Sequence, residues 1–184
     1  MNRRLIAGLF ILAIIGLFAF RNFSSRFVNK RSFVTGPTSG VYIIVDKSDY
    51  ELQVYDDEGW YATYPVVFGS KSTEDKMYEG DRRTPEGTFK IVSKRLHDKW
   101  NKIMMLDYPT KESWDKFNWR KQHGIIAPQA KIGGAIGIHG TWPNDNIVVD
   151  DYTNWTQGCV SLRNRDIDEI FEFIQPGTKV IIRK

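Results

Sequence analysis

Between Leu5 and Phe20 the chain reads LIAGLFILAIIGLFAF, without a charge or a strongly polar side chain. A helix built from this run is apolar on every side, which suits a membrane or the centre of a large core rather than one wall of a small domain. As a helix it spans ~24 Å, short of a ~30 Å hydrocarbon core. Arg21 can snorkel to the interface and lengthen it. The run closes on Ala19, Phe20, Arg21 and Asn22, without the small-residue pattern of a cleaved signal. A retained transmembrane helix is therefore expected, ahead of a buried core helix. The single cysteine, Cys159, lies far away, so anchoring through a lipidated cysteine is excluded. The chain then divides into residues 1–22 as a signal-anchor, 23–39 as a polar tether ending in Thr35-Gly36-Pro37-Thr38-Ser39, and 40–184 as a folded domain. Arg3 and Arg4 favour a cytoplasmic N-terminus, Arg21, Arg26, Lys30 and Arg31 argue the other way, and the expected arrangement is single-pass with the domain exported.

The formal charge of +4 is misleading. The first acidic residue is Asp46, and residues 41–184 carry 20 bases against 22 acids. The folded part has no basic excess of the kind that nucleic-acid binding requires, so no nucleic-acid partner is expected.

The domain reads as mainly β. Val41–Val45 is β-branched and aromatic, Glu51–Tyr55 alternates with period two, and Asp46-Lys47-Ser48-Asp49 supplies a turn between them. Further strands are expected at Tyr64–Phe68, Thr88–Val92, Ala135–His139 and Thr178–Ile182. Ile167, Ile170, Phe171 and Ile174 recur with helical spacing, Asn164 or Asp166 can cap that helix, and Pro176-Gly177 ends it. Residues 93–124 scatter Trp100, Trp114, Phe117 and Trp119 among polar residues. They admit a helix near 110–121, and either a lid over a site or a packed surface excursion.

Ile138-His139-Gly140 ends an expected strand, and Thr156-Gln157-Gly158-Cys159-Val160 follows. A thiol nucleophile needs a base, and the base needs a third group to hold its tautomer. His97 and His123 sit among charged and amide side chains and read as surface residues, whereas His139 lies at an apolar strand end. Gly158 lets backbone approach a reacting carbonyl closely. On chemistry alone two readings stand: a Cys–His pair, or a structural histidine beside a buried cysteine. Gly133-Gly134 and the glycines after it lack dinucleotide-binding spacing. Cysteine clusters, H-x-x-x-H and G-x-S-x-G are absent, so neither a metal site nor a serine hydrolase is indicated.

Together, the opening hairpin, Thr84-Pro85-Glu86-Gly87-Thr88-Phe89, Ile138-His139-Gly140, and Trp155 to Val160 followed by Leu162 and Asn164 resemble the catalytic domain of the YkuD-type L,D-transpeptidases, the cysteine enzymes of bacterial peptidoglycan. The resemblance runs from about Gly40 to Arg183. It implies a β-sandwich with a short C-terminal helix, Cys159 as nucleophile, His139 as base, Gly140 orienting His139 through its carbonyl, and the Gly158 and Cys159 amides as oxyanion hole. Many members read Ser-His-Gly-Cys-Ile-Arg; here Gln157 replaces the histidine and Ser161 the arginine. Thr156, Gln157, Trp142, Trp155 and Arg163 are the candidates for touching substrate.

The implied reaction joins the acyl group of a peptidoglycan stem tetrapeptide to an amine, with loss of D-Ala and no metal or cofactor, beside the bacterial cytoplasmic membrane on its extracytoplasmic side. The alternatives are an L,D-carboxypeptidase or endopeptidase using water, and a non-catalytic wall-binding module. Sortases expect Thr-Leu-x-Thr-Cys, which this chain lacks.

Overall fold

The structure, a computed structural model, describes residues 27–184. The expected transmembrane segment lies outside them. Among the described residues no helix is long and apolar enough to cross a membrane. The described residues form nine strands: β1 (Asn29–Lys30), β2 (Tyr42–Asp46), β3 (Glu51–Asp56), β4 (Gly59–Pro65), β5 (Gly87–His97), β6 (Asn101–Leu106), β7 (Gly137–His139), β8 (Val160–Ser161) and β9 (Lys179–Arg183). Among the described residues three helices join them: α1 (Lys111–Gln122), α2 (Ile147–Asp150) and α3 (Asn164–Phe173).

The fold is mainly β, and its two sheets share one strand. In the first, the order is β1-β4-β3-β2-β9-β5; in the second it is β5-β6-β7-β8. The first part of β5 pairs with β9 and the rest with β6, with a register shift between Ile91 and Ser93 at the handover. A bulge of this kind bends a strand and raises its twist. Ile43, Val45, Leu52, Val54 and Val180 from the first sheet join Met104, Ile138 and Val160 from the second in one core. Ile167 and Ile170 of α3, with Ile174 just past its end, complete it.

The β2–β3 hairpin forms as the alternation implies. Val45 pairs with Leu52, and the Asp46 carboxylate accepts the Ser48 and Asp49 N–H groups to close the turn. The chain's last strand inserts parallel to β2 and ends up central. The strand expected at Tyr64–Phe68 is displaced. β4 stops at Pro65, and Val67 instead exchanges two backbone hydrogen bonds with Ser161, at 3.0 and 2.8 Å. This stitch fixes β8 against the far end of the first sheet.

Residues 93–124 are built into regular elements of the fold. They hold the second half of β5, all of β6, and α1, whose Thr110 hydroxyl accepts the Ser113 N–H at its start. Arg120 is ion-paired with Asp75 and Lys116 donates to the Glu86 carbonyl, so α1 is bound to the body of the domain. Neither Asn164 nor Asp166 caps α3. Asn164 is its first residue, and its side-chain oxygen accepts the Thr141 N–H instead. Part of the expected tether is also docked. β1 pairs with β4, and Arg31 grips Asp56 with two hydrogen bonds.

Candidate active site

β7 and β8 run parallel and side by side, with Ile138 opposite Val160 and His139 opposite Ser161. Alternation sends Ile138 and Val160 into the core and turns the flanking residues to the other face. His139 and Cys159 thereby line one cleft of about 450 Å³, with Ile103, Met105, Trp142 and Trp155 among its walls. The register is tight: a side chain at Gly137 would come within 2.8 Å of the Met104 carbonyl. The Gly137 N–H points at the Cys159 sulfur, 3.4 Å away.

His139 is 1% exposed. Its Nδ1 lies 2.7 Å from the Gly140 carbonyl, which can only accept, so Nδ1 carries the proton and Nε2 keeps its lone pair. The same carbonyl accepts the Ser161 hydroxyl at 3.2 Å. Ser161 thus acts on the group that orients the ring. Burial drives the His139 pKa down to about 4, partly offset by the Gly140 bond. Burial pushes the Cys159 thiol up, offset by the Gly137 N–H and the charge of Lys76. Both shifts favour the neutral forms at neutral pH, a thiol at Cys159 and an imidazole at His139.

The turn before Cys159 departs from expectation. The Thr156 hydroxyl donates to the Cys159 carbonyl at 2.7 Å and accepts the buried Gly158 N–H at 3.1 Å. The Gly158 amide, expected as half of an oxyanion hole, is spent inside the turn. Among the described residues the Cys159 N–H makes no hydrogen bond, which leaves it as the available donor. Gly158 itself sits at φ +134°, where a Cβ would also meet the Arg83 carbonyl.

The other expected substrate contacts divide. Trp142, Trp155, Thr156 and Gln157 line the cleft. Trp142 and Trp155 pack together at 3.9 Å, and Trp155 stands edge-on to His139 at 5.5 Å. Arg163 is not in the cleft. It is buried against Asp150 and Asp166, where its charge is compensated. Two residues escaped the sequence reading. His97, expected on the surface, and Trp100 both line the cleft, because the β5–β6 turn folds over His139. The signal was the tryptophan cluster in residues 93–124. Among the described residues no group of three or more His, Cys, Asp or Glu side chains is placed to hold a metal ion.

A family model for the L,D-transpeptidase catalytic domain, YkuD, matches residues 40–182. The chain belongs to the L,D-transpeptidase catalytic domain family. An L,D-transpeptidase relative in Bacillus subtilis, YqjB, whose name makes that assignment provisionally, is 28% identical over 145 residues, covering 77% of this chain and 70% of that protein. Among solved structures, the L,D-transpeptidase fold recurs in the helical cell shape determining protein Pgp2 from Campylobacter jejuni, with a TM-score of 0.57 and 22% identity over 78% of this chain and 47% of that one. Bd1075 from Bdellovibrio bacteriovorus gives 0.53 and 20%, over 84% and 50%. The chain spans about half the length of these two structures.

Proposed function

We propose that the domain is a peptidoglycan L,D-transpeptidase that works through a Cys159 thioester. The observation that carries this reading is the meeting of His139 and Cys159 in one cleft, with Nδ1 locked by Gly140 so that Nε2 is the free base. The Cys159 sulfur attacks the carbonyl joining the L-centre of the stem tetrapeptide to its terminal D-Ala, while its proton moves to His139 Nε2. The Cys159 N–H steadies the oxyanion. The intermediate collapses, D-Ala leaves with the proton returned by His139, and a thioester remains. An amine then attacks the thioester, gives its proton to His139, and releases the thiol. Aromatic and aliphatic walls limit water at the thioester, which favours the amine over hydrolysis. Leu5–Phe20 would hold the domain at the extracytoplasmic face of the membrane, beside its polymer.

The test is to incubate the full-length chain and its Cys159→Ala variant with disaccharide-tetrapeptides and read the products by mass spectrometry. A cross-linked dimer lacking one D-Ala, absent with the variant, is the expected result. Tripeptide without dimer would make it a carboxypeptidase. No product and no thioester, with wall binding retained by the variant, would leave a binding module.

A further inference from the structure

Three rings stack in series at the back of the cleft. His97 lies 4.4 Å from Trp100 with planes 7° apart, and Trp100 lies 4.5 Å from His139 at 19°. Trp155 closes the arrangement edge-on to His139. His97 is pinned in turn, because its Nδ1 accepts the Lys99 N–H at 3.2 Å and the Trp100 N–H at 3.3 Å. The Trp100 and Lys102 carbonyls then accept the Gly140 N–H, at 3.1 and 3.2 Å. Gly140 is the residue whose carbonyl holds His139 Nδ1. The β5–β6 turn therefore reaches both a face of the His139 ring and the residue that holds its hydrogen-bonded edge through one short segment.

We propose that His97 is a positioning residue for His139, its ring clamping the Trp100 indole against the imidazole and so holding that ring in place in the cleft it shares with Cys159. This rests on the reading of His139 as general base. The ring contact of His97 with His139 runs through Trp100, beside a direct coulombic effect of His97 that lowers the His139 pKa. A flat partner is what the clamp needs, since a parallel stack depends on the ring face and not on a charge. The hydrogen bonds of Nδ1 are a separate contribution that shapes the turn, and two substitutions divide the two. His97→Phe keeps the ring and loses the acceptor. His97→Asn keeps an acceptor on a short side chain and loses the stack.

The experiment measures the rate of Cys159 alkylation by iodoacetamide at neutral pH in the full-length chain, with near-ultraviolet circular dichroism to verify tertiary packing. The His97→Phe protein is expected within about threefold of the parent, and His97→Asn slower by about tenfold or more, as small misplacements of a catalytic group are costly. An Asn variant as fast as the Phe variant, or faster, overturns the proposal. His139→Ala is measured beside them. If it alkylates at the parent rate, the base reading itself fails; if it is slow while His97→Asn is not, only the positioning role of His97 falls.

Discussion

His139 and Ser161 share one acceptor: the ring Nδ1 and the serine hydroxyl both hydrogen-bond to the Gly140 carbonyl, at 2.7 and 3.2 Å. The carbonyl is thus held from two sides, one by the His139 ring and one by the strand that follows Cys159. Removing the serine hydroxyl leaves the carbonyl still paired with His139. Ser161→Ala is expected to cost about 1 kcal/mol in urea unfolding and less than about tenfold in kcat/KM. His139→Ala is expected to lose about a hundredfold or more. Equal losses from the two would mean that the hydroxyl takes part in the proton transfer itself.

Acid should disable the site late. With burial holding the His139 pKa down to about 4, the ring remains a neutral base through the range where an ordinary histidine, near 6.5, would protonate. The acid limb of kcat/KM is expected with a midpoint near 4. A midpoint at the ordinary histidine value would show that the ring is solvated in the working enzyme.

Stability should respond to two buried groups of opposite sign. His139 binds its proton less well folded than unfolded, so its contribution is full above about 6.5 and is lost as pH falls to about 4, a loss of about 3 kcal/mol. Burial raises Asp166 to about 6, against the partial relief of Arg163 and Arg165. Asp166 therefore favours the fold at low pH and loses that contribution, also about 3 kcal/mol, as pH rises from about 4 through 6. The two nearly cancel between pH 4 and 6. Denaturant unfolding of Asp166→Asn across that range should expose the His139 slope, with stability falling on acidification. A flat profile in that variant would contradict the low His139 pKa.

Gly140 has no room for a side chain. A Cβ there would lie 2.4 Å from the Asn164 side-chain oxygen and 2.9 Å from the Trp100 carbonyl. Gly140→Ala must push the β5–β6 turn away from β7, at a cost of about 1–3 kcal/mol. Urea unfolding gives the energy, and tryptophan fluorescence should report the displaced Trp100.

Thr156→Val removes a hydroxyl that serves both ends of the turn before Cys159 and strands the buried Gly158 N–H. A loss of about 1–3 kcal/mol is expected, together with slower Cys159 alkylation, while Thr156→Ser keeps both properties close to the parent. A Val variant with unchanged stability would remove Thr156 from this role.

Much of the fold was legible because its signals are local. The alternation of Glu51–Tyr55 and the spacing of Ile167, Ile170 and Ile174 reflect repeats set by backbone geometry alone, and β3 and α3 appear where those repeats fall. β6 was not legible. Its buried Ile103, Met104 and Leu106 form no clean alternation, and the polar residues around them resemble a surface excursion. The handover of β5 between two sheets depends on partners distant in sequence, β9 on one side and β6 on the other.

By itself the sequence determined the residue chemistry and its order: an apolar run at Leu5–Phe20, a β-rich domain, one cysteine, and a histidine at a strand end ahead of it. These are properties of composition and short-range periodicity, and they need no knowledge of distant contacts. Only the tertiary structure decided which groups those residues meet. It set Trp100 and His97 against His139, gave the Gly158 amide to Thr156, and withdrew Arg163 from the cleft into ion pairs with Asp150 and Asp166. The reason is physical: a hydrogen bond or a ring stack is fixed by distances of a few ångströms that only the folded backbone sets, and residue types alone carry no such distances.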